Sequence, residues 1–234
     1  MGSHHLTPAK SALRKIFQAI IGIGILAALL FIPAGRLDWW IGWIMIGAYM
    51  ITVYVGVAFI QKSDPELIAE RQQVKADVKT WDKVITTLFS LVLIPMILVT
   101  SGFDQRMGWS TSFPLILQIL ALISGMLCFA LIFWGMATNT HFESYVRIQT
   151  DRKHQTVTSG PYQYVRHPGY LGMALSALVI PLILGSWWAL IPGGLAAILI
   201  ILRTALEDKI LQAELPGYKE YTQETRYRLI PGIW

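Results

Sequence analysis

The chain has 234 residues, of which 54% are hydrophobic and only 14% charged, and its formal net charge is +5. A soluble domain usually carries about 25% charged residues, so this composition excludes an ordinary soluble domain and indicates an integral membrane protein. The basic residues fall between apolar runs instead of forming one stripe, which argues against a nucleic-acid-binding protein. The one cysteine, Cys128, lies inside an apolar run, which excludes disulfides and cysteine-based metal sites.

Six apolar runs approach the length of about 20 residues that a membrane-spanning helix needs. In chain order they are residues 16–32, 39–60, 84–99, 113–137, 170–184 and 187–202. The last two are separated only by Gly185 and Ser186, which predicts a tight helical hairpin. The sequence therefore predicts an all-α, polytopic membrane bundle of about six transmembrane helices, with five as the alternative if the hairpin is partly re-entrant.

Proline residues within the apolar runs predict local irregularities, because proline lacks a backbone N–H and obstructs the preceding turn. Pro95 predicts a kink in the third run. Pro181 and Pro192 predict kinks or early helix ends in the last two runs.

All but two of the 19 lysines and arginines lie in the N-terminal flank, in 61–83, in 138–168 or from Arg203 onwards. The two exceptions, Arg36 and Arg106, lie in the loops of the opposite side. Because cytoplasmic loops are enriched in Lys and Arg, this pattern predicts that both termini and the polar loops face the cytoplasm. The same pattern favours an even number of spans. The expected location is a bacterial or archaeal inner membrane.

The chain is expected to form one integral membrane domain over residues 6–234, since no repeat or low-complexity stretch divides it. Residues 1–5 resemble a tag remnant and are left aside. Between the second and third spans, Asp64-Pro65-Glu66 is a helix-start signal, which predicts a helix along the membrane surface within 63–83. Segment 207–227 is helical in character until Pro216-Gly217 interrupts it.

The segment 160–172, Gly-Pro-Tyr-Gln-Tyr-Val-Arg-His-Pro-Gly-Tyr-Leu-Gly, places charged and aromatic groups directly before the fifth apolar run. Such groups at a membrane boundary are costly unless something polar binds there. Pro168 biases His167 away from helix, so the next helix should begin after His167. Arg166 and His167 would then precede a helix N-terminus, where an anion is favoured. The alternative is that Arg166 merely anchors the span to lipid headgroups.

Arg203 and Glu207 are four residues apart on the predicted sixth helix, so they can share a face. They could form a mutual salt bridge. Alternatively, Glu207 accepts a ribose hydroxyl or ammonium group while Arg203 holds an acidic substrate group. The tyrosines that follow, Tyr218 and Tyr221 among them, could cap a cation with their ring faces or anchor the chain at the interface.

The three histidines outside the tag remnant, His141, His154 and His167, all lie between the fourth and fifth runs. None has a partner at local metal-ligand spacing, so no metal site is predicted. Asn139 and His141 stand where the fourth run reaches the cytoplasm, and they are predicted to line a pocket.

These motifs together resemble the isoprenylcysteine carboxyl methyltransferase-like family, which also includes phospholipid methyltransferases and whose members are small multispan enzymes that use S-adenosylmethionine. The resemblance rests on the order Gly160-Pro-Tyr162, Arg166-His-Pro-x-Tyr170-x-Gly172, Arg203-x-x-x-Glu207-Asp208, Gly217-Tyr-x-x-Tyr221 and Arg228-Leu-Ile-Pro231. It covers the C-terminal part of the chain, and it implies a cytoplasmic cofactor pocket within about 138–234. Where the family commonly has two glutamates, this chain has Glu207-Asp208.

The resemblance implies roles for individual residues. Arg203 and Glu207 would be catalytic, lying where cofactor and acceptor meet, and Asn139, His141 and Arg203 would contact the acceptor. The implied cofactor-binding residues are Gly160, Tyr162, Tyr164, Arg166, His167, Pro168, Tyr170, Glu207, Tyr218 and Tyr221.

The implied activity is S-adenosylmethionine-dependent methyl transfer to a lipophilic small molecule or lipidated substrate, most directly the carboxylate of an isoprenylcysteine-like acceptor. Such transfer depends mainly on positioning and desolvation and requires no metal. One alternative is a phospholipid-amine N-methyltransferase, which would need a base such as Glu207 or His167.

A second alternative is an NADPH-dependent membrane sterol or steroid reductase, whose C-terminal pattern is similar. Those proteins usually carry a Lys-Tyr-Gly-x-x-Trp element where this chain has Leu215-Pro-Gly-Tyr218. A small transporter is the third alternative, but transport predicts polar residues at mid-span, and the span interiors here are nearly free of charge.

Overall fold

The computed structural model describes residues 8–63, 78–147 and 154–234, and within them every regular element is a helix. The all-α prediction is therefore confirmed. The helices are α1 Pro8–Ala34, α2 Trp40–Ser63, α3 Thr80–Met107, α4 Leu115–Thr138, α5 Pro168–Ile183, α6 Leu190–Glu214 and α7 Tyr218–Glu224, with a 3-10 turn at Gly160–Gln163. The surface helix predicted within 63–83 lies mainly outside the described residues.

Among the described residues, five helices, α1 to α4 and α6, are long and apolar enough to cross a membrane, so the chain is an integral membrane helical bundle. The fifth predicted run is also a helix, α5, but it has only 16 residues. At 1.5 Å per residue it is about 24 Å long, which is shorter than the roughly 30 Å hydrocarbon core of a bilayer.

Despite its length, α5 runs between the same two ends of the bundle as its neighbours. At one end, the Gln118 side chain at the start of α4 donates a hydrogen bond to the carbonyl of Ile183, the last residue of α5. At the opposite end, α5 begins at Pro168, close to the end of α4. α5 thus runs antiparallel to α4, as a shorter apolar helix beside the five candidate spans.

The loop between α5 and α6 is longer than the predicted two-residue link. Ser186 donates a hydrogen bond to the buried Asp104 of α3, and the backbone N–H of Trp187 donates to Ser110. These bonds keep residues 184–189 out of helix, so α6 begins at Leu190 instead of residue 187. α6 also continues beyond the apolar run to Glu214. Arg203 and Glu207 therefore lie on the polar C-terminal half of this helix.

Each of the three prolines lies beside a helical irregularity or near a helix end. A π-helical stretch, Leu88–Leu93, precedes Pro95 and widens α3 where the proline cannot donate a backbone hydrogen bond. Pro181 lies two residues before the end of α5, and Pro192 lies in the first turn of α6, where a missing N–H costs no helical bond.

The contact between α4 and α5 is close because α5 presents glycine to its neighbour. A Cβ placed on Gly172 would lie 2.6 Å from the backbone oxygen of Cys128 in α4. A side chain at this position would force the two helices apart, so the last glycine of the 160–172 motif sets the distance at which α5 packs.

Candidate functional site

An open cavity lies where α4 ends and α5 begins, on the side of the bundle opposite to the α5–α6 loop. The empty space there is about 760 Å³, with the open solvent at its mouth included. The predicted site residues that line it are Asn139, His141, Tyr162, Arg166, His167, Tyr170, Glu207, Tyr218 and Tyr221. Gly160, Tyr164, Pro168 and Arg203 were also predicted, but they do not line it.

The Arg166-His167-Pro168 segment is held in place by the C-terminal end of the chain. The backbone N–H of Arg166 donates to the carbonyl of Tyr227 at 2.9 Å, and that of His167 donates to Arg228 at 3.0 Å. His167 has φ −129° and ψ 62°, outside the helical region, and α5 begins at Pro168. The predicted helix start after His167 is thus confirmed, and the two residues before it meet carbonyl groups of the protein itself.

Asp208 lies behind the polar wall of the cavity and binds several of the residues that form it. Its side chain is completely buried and accepts two hydrogen bonds from Arg166, at 2.8 and 3.0 Å, in a bidentate arrangement. Arg228 donates to the same carboxylate at 2.8 Å. Further contacts within 3.2 Å come from the side chains of His167, Gln212 and Tyr218.

The guanidinium of Arg166 donates four hydrogen bonds to other groups of the protein. Besides Asp208, it donates from Nη1 to the carbonyls of Thr225 and Arg226, at 2.8 and 2.7 Å. The sequence analysis predicted that Arg166 would bind an anion with two hydrogen bonds. In the structure this anion is the carboxylate of Asp208 in α6. Arg166 therefore fixes the geometry of the cavity wall through its bonds to the protein.

Glu207 lies one residue before Asp208, about 100° around the helix, and faces the cavity instead of the interior. Its carboxylate accepts a hydrogen bond from the Tyr170 hydroxyl. Among the described residues no basic side chain lies within salt-bridge distance of it. Glu207 thus keeps most of its capacity to accept hydrogen bonds from a ligand.

Arg203 is bound to Asp82 in the first turn of α3, a residue of the family-like Trp81-Asp82 pair for which the sequence predicted no role. The pair is bidentate, at 2.7 and 3.1 Å, and both side chains are buried. Arg203 also donates to the carbonyl of Ser144, and its guanidinium carbon lies 4.9 Å from the centroid of the Tyr170 ring. The mutual Arg203–Glu207 salt bridge, one of the two alternatives, is therefore not formed. A lone acidic residue at the start of an apolar helix was the available signal for Asp82.

Two tyrosines that line the cavity donate hydrogen bonds from their hydroxyl groups to backbone carbonyls. Tyr221 donates to the carbonyl of Tyr162, and Tyr162 donates to the carbonyl of Gly135. Burial raises the pKa of Tyr221 to about 12 and raises that of Tyr162 further. Both groups are therefore neutral near pH 7, and they offer ring faces and hydroxyl groups instead of charge.

The remaining wall is formed by the segments on either side of 148–153. Arg147 and Glu143 form a buried bidentate ion pair at 2.7 and 2.9 Å. The rings of His141 and His154 lie 4.5 Å apart. Burial, with the nearby charges of His141 and Arg147, lowers the pKa of His154 to about 4, so this imidazole is neutral at pH 7. In the part of the chain that the structure describes, no three His, Cys, Asp or Glu residues are grouped as metal ligands.

A second, apolar cavity lies between the membrane-spanning helices, with an empty volume of about 1,540 Å³, mouth included. The linings of the two cavities lie close together in the chain, because Met136 precedes Asn139 by three residues and Met173 follows Tyr170 by three. Phe142 lines the polar cavity and packs against the cluster that contains Met136, so its ring lies on the side of the polar cavity that faces the apolar one.

Residues 119–213 match the isoprenylcysteine carboxyl methyltransferase (ICMT) family. The matched segment contains most of α4, all of α5, nearly all of α6 and most of the residues that line the polar cavity. No curated protein matches the chain. The match supports the resemblance drawn from the motifs: over this segment an integral membrane chain is similar to a family of isoprenylcysteine carboxyl methyltransferases.

Proposed function

We propose that the protein transfers a methyl group from S-adenosylmethionine to a lipophilic acceptor, most directly the carboxylate of an isoprenylcysteine-like molecule. The observation that supports this most strongly is the presence of two neighbouring cavities, a polar one lined by Glu207 and an apolar one between the spans. A reaction between a water-soluble donor and a membrane-dissolved acceptor needs such a pair of neighbouring spaces.

The residues of the polar cavity fit S-adenosylmethionine. Glu207, which lacks a cationic partner among the described residues, is suited to accept hydrogen bonds from an ammonium group or a ribose hydroxyl. Aromatic ring faces, such as those of Tyr170 and Tyr218, can stabilise a cation. When bound, this cofactor supplies a methyl group on a positively charged sulfur. The buried Asp208 cluster keeps the Arg166-His167 wall fixed around it.

The apolar cavity is suited to the acceptor's hydrocarbon chain. On α4 alone its lining extends from Leu122 to Met136, which corresponds to about 20 Å along the helix. Its polar lining is limited to groups such as Thr52 and Ser176, so a long apolar chain loses little hydrogen bonding there.

Arg203 lines neither cavity and supports the site through its neighbours. Its guanidinium binds Asp82 and the carbonyl of Ser144, and it lies 4.9 Å from the centroid of the Tyr170 ring, which lines the polar cavity. A carboxylate needs no general base in order to attack a methyl group, so the chain's contribution is to position the acceptor and exclude water.

The N-methyltransferase alternative differs only in the acceptor's head group. An amine must lose a proton, which Glu207 or His167 would have to accept. Both residues line the cavity, so this alternative remains the second candidate.

The reductase alternative has less support, because NADPH carries an additional phosphate. The arginines that line the cavity, Arg147 and Arg166, are already paired with Glu143 and Asp208. A phosphate would have to displace one of these carboxylates, at the cost of leaving it buried and unpaired.

We also propose that the polar cavity opens to the cytoplasm and that residues 6–234 act as one domain. The support is the Lys and Arg distribution, because the two basic residues outside the cavity side, Arg36 and Arg106, lie near each other at the far end.

Methyl transfer tests the proposal. The purified protein in detergent is incubated with methyl-tritiated S-adenosylmethionine and either N-acetyl-S-farnesyl-cysteine or phosphatidylethanolamine. We expect radiolabel in the farnesylcysteine product that mild base releases as methanol, as an ester requires. Label that resists base and appears only in the phospholipid would identify the N-methyltransferase instead. NADPH oxidation with a sterol, without any methyl transfer, would contradict both.

A further inference from the structure

Asp82 joins three parts of the chain beneath the polar cavity without lining it. Its side chain is 0% exposed, and it binds Arg203 of α6 with both oxygens. One of these oxygens also accepts the backbone N–H of Val146, at 2.7 Å, in the cavity wall. This carboxylate therefore determines where the Arg203 guanidinium points.

Arg203 has a second possible partner close by. Glu207 follows it by four residues on α6, a spacing at which an arginine and a glutamate commonly pair. Both side chains meet at Tyr170, since the Arg203 guanidinium lies 4.9 Å from the ring centroid and the ring's hydroxyl donates to Glu207. Asp82 thus binds the guanidinium that lies beside the same tyrosine as the cavity-lining Glu207.

We propose that Asp82 is a positioning residue that holds Arg203 away from Glu207 and so keeps the Glu207 carboxylate available to the ligand in the polar cavity. The proposal rests on the proposed function for the identity of that ligand. It assigns Asp82 no contact with cofactor or acceptor. Its effect on the site passes entirely through Arg203.

The physical reason lies in the cost of a buried unpaired charge. Without the Asp82 carboxylate, the buried guanidinium must find another anion, because desolvation without a partner is strongly unfavourable. Glu207 is the carboxylate within reach on its own helix. Once paired with Arg203, Glu207 would no longer accept hydrogen bonds from an ammonium or hydroxyl group.

Asp82→Asn is the appropriate test because the amide has the shape of the carboxylate and can still accept the Val146 N–H. We expect this variant to fold, since Glu207 compensates Arg203. S-adenosylhomocysteine, which carries the ammonium and ribose groups, should bind about tenfold to a hundredfold more weakly, as expected for one lost charge-assisted hydrogen bond. Isothermal titration calorimetry in detergent measures the dissociation constant.

The double variant Asp82→Asn/Arg203→Gln separates positioning from a merely structural role. With no guanidinium left to approach Glu207, affinity for S-adenosylhomocysteine should return to within a few-fold of the original protein. Methyl transfer should stay low, because Arg203 itself is absent. The matched control is Asp104→Asn, a buried carboxylate at the far end of the bundle, which should leave the affinity unchanged whatever its effect on the melting temperature.

Three results would overturn the proposal. The first is that Asp82→Asn binds S-adenosylhomocysteine as tightly as the original protein, and the second is that Asp82→Asn does not fold. The third is that the double variant binds S-adenosylhomocysteine as weakly as Asp82→Asn does. If the unsubstituted protein does not bind S-adenosylhomocysteine, the proposed function fails, and the role of Asp82 fails with it. The first three results leave the proposed function intact, so the two failures are distinguishable.

Discussion

Glu207 and Asp208 are adjacent in α6, yet Glu207 lines the polar cavity while Asp208 is completely buried and binds Arg166 and Arg228. Consecutive residues on a helix point about 100° apart. The two carboxylates therefore have different tasks. Glu207 faces the ligand space, and Asp208 holds together the polypeptide segments that surround it.

Asp208→Asn should destabilise the protein far more than Glu207→Gln does. The first substitution removes the anion shared by the buried Arg166 and the partly exposed Arg228, and breaking a buried ion pair from one side costs about 3–5 kcal/mol. The second removes a charge at a cavity surface, where most substitutions change stability by about 0.5 kcal/mol. Thermal unfolding in the same detergent measures both. Equal losses would contradict the division of tasks.

Gly169→Ala should impair methyl transfer by displacing Phe142. A Cβ at this position would lie 2.6 Å from the Phe142 ring, which lies on the side of the polar cavity that faces the apolar one. We expect turnover to fall about tenfold or more, because small misplacements at a reacting centre are costly. Gly194→Ala is the matched control: it lies in α6 with nothing within 4 Å of the added Cβ, and it should keep full activity. Unchanged turnover in Gly169→Ala would show that the position of the Phe142 ring does not affect methyl transfer.

Stability should decrease on acidification from pH 6.5 towards pH 4, with a contribution from His154. Burial lowers the pKa of this imidazole to about 4 from its usual 6.5. Between these values the unfolded chain binds a proton that the folded chain does not, so lower pH favours unfolding. In His154→Gln the melting temperature should fall less over this pH range. A variant with the same pH dependence as the original protein would mean that His154 is not the titrating group.

Cysteine labelling can test the orientation in the membrane. In a Cys128→Ala background, Leu37→Cys and Lys219→Cys place exposed thiols at the two opposite ends of the bundle. An impermeant maleimide added to intact bacterial cells should label position 37 and should reach position 219 only after permeabilisation. Labelling of position 219 in intact cells would reverse the proposed orientation.

The sequence predicted the features that depend on contiguous residues. The start of α5 at Pro168 follows from proline's fixed geometry, and the interruption of α6 before Gly217 follows from the glycine's φ of +78°. Glu207 was singled out because it stands near a membrane boundary. The family match over residues 119–213 supports the resemblance drawn from the motifs that lie within it.

What the sequence did not predict depends on pairing between distant segments. Asp82 and Arg203 are 121 positions apart, and only the packing of α3 against α6 brings them together. Likewise, nothing in the Glu207-Asp208 dipeptide shows which carboxylate faces inwards. That choice is made by Arg166 and Arg228, which reach Asp208 from other parts of the chain.

The most direct test of the central claim is calorimetric titration of the purified protein in detergent with S-adenosylhomocysteine and, separately, with NADPH. We predict saturable binding of S-adenosylhomocysteine and none of NADPH, because Glu207 is available to an ammonium or ribose group while the lining arginines are already paired. Binding of NADPH alone would contradict the account and identify the polar cavity as the site of a reductase.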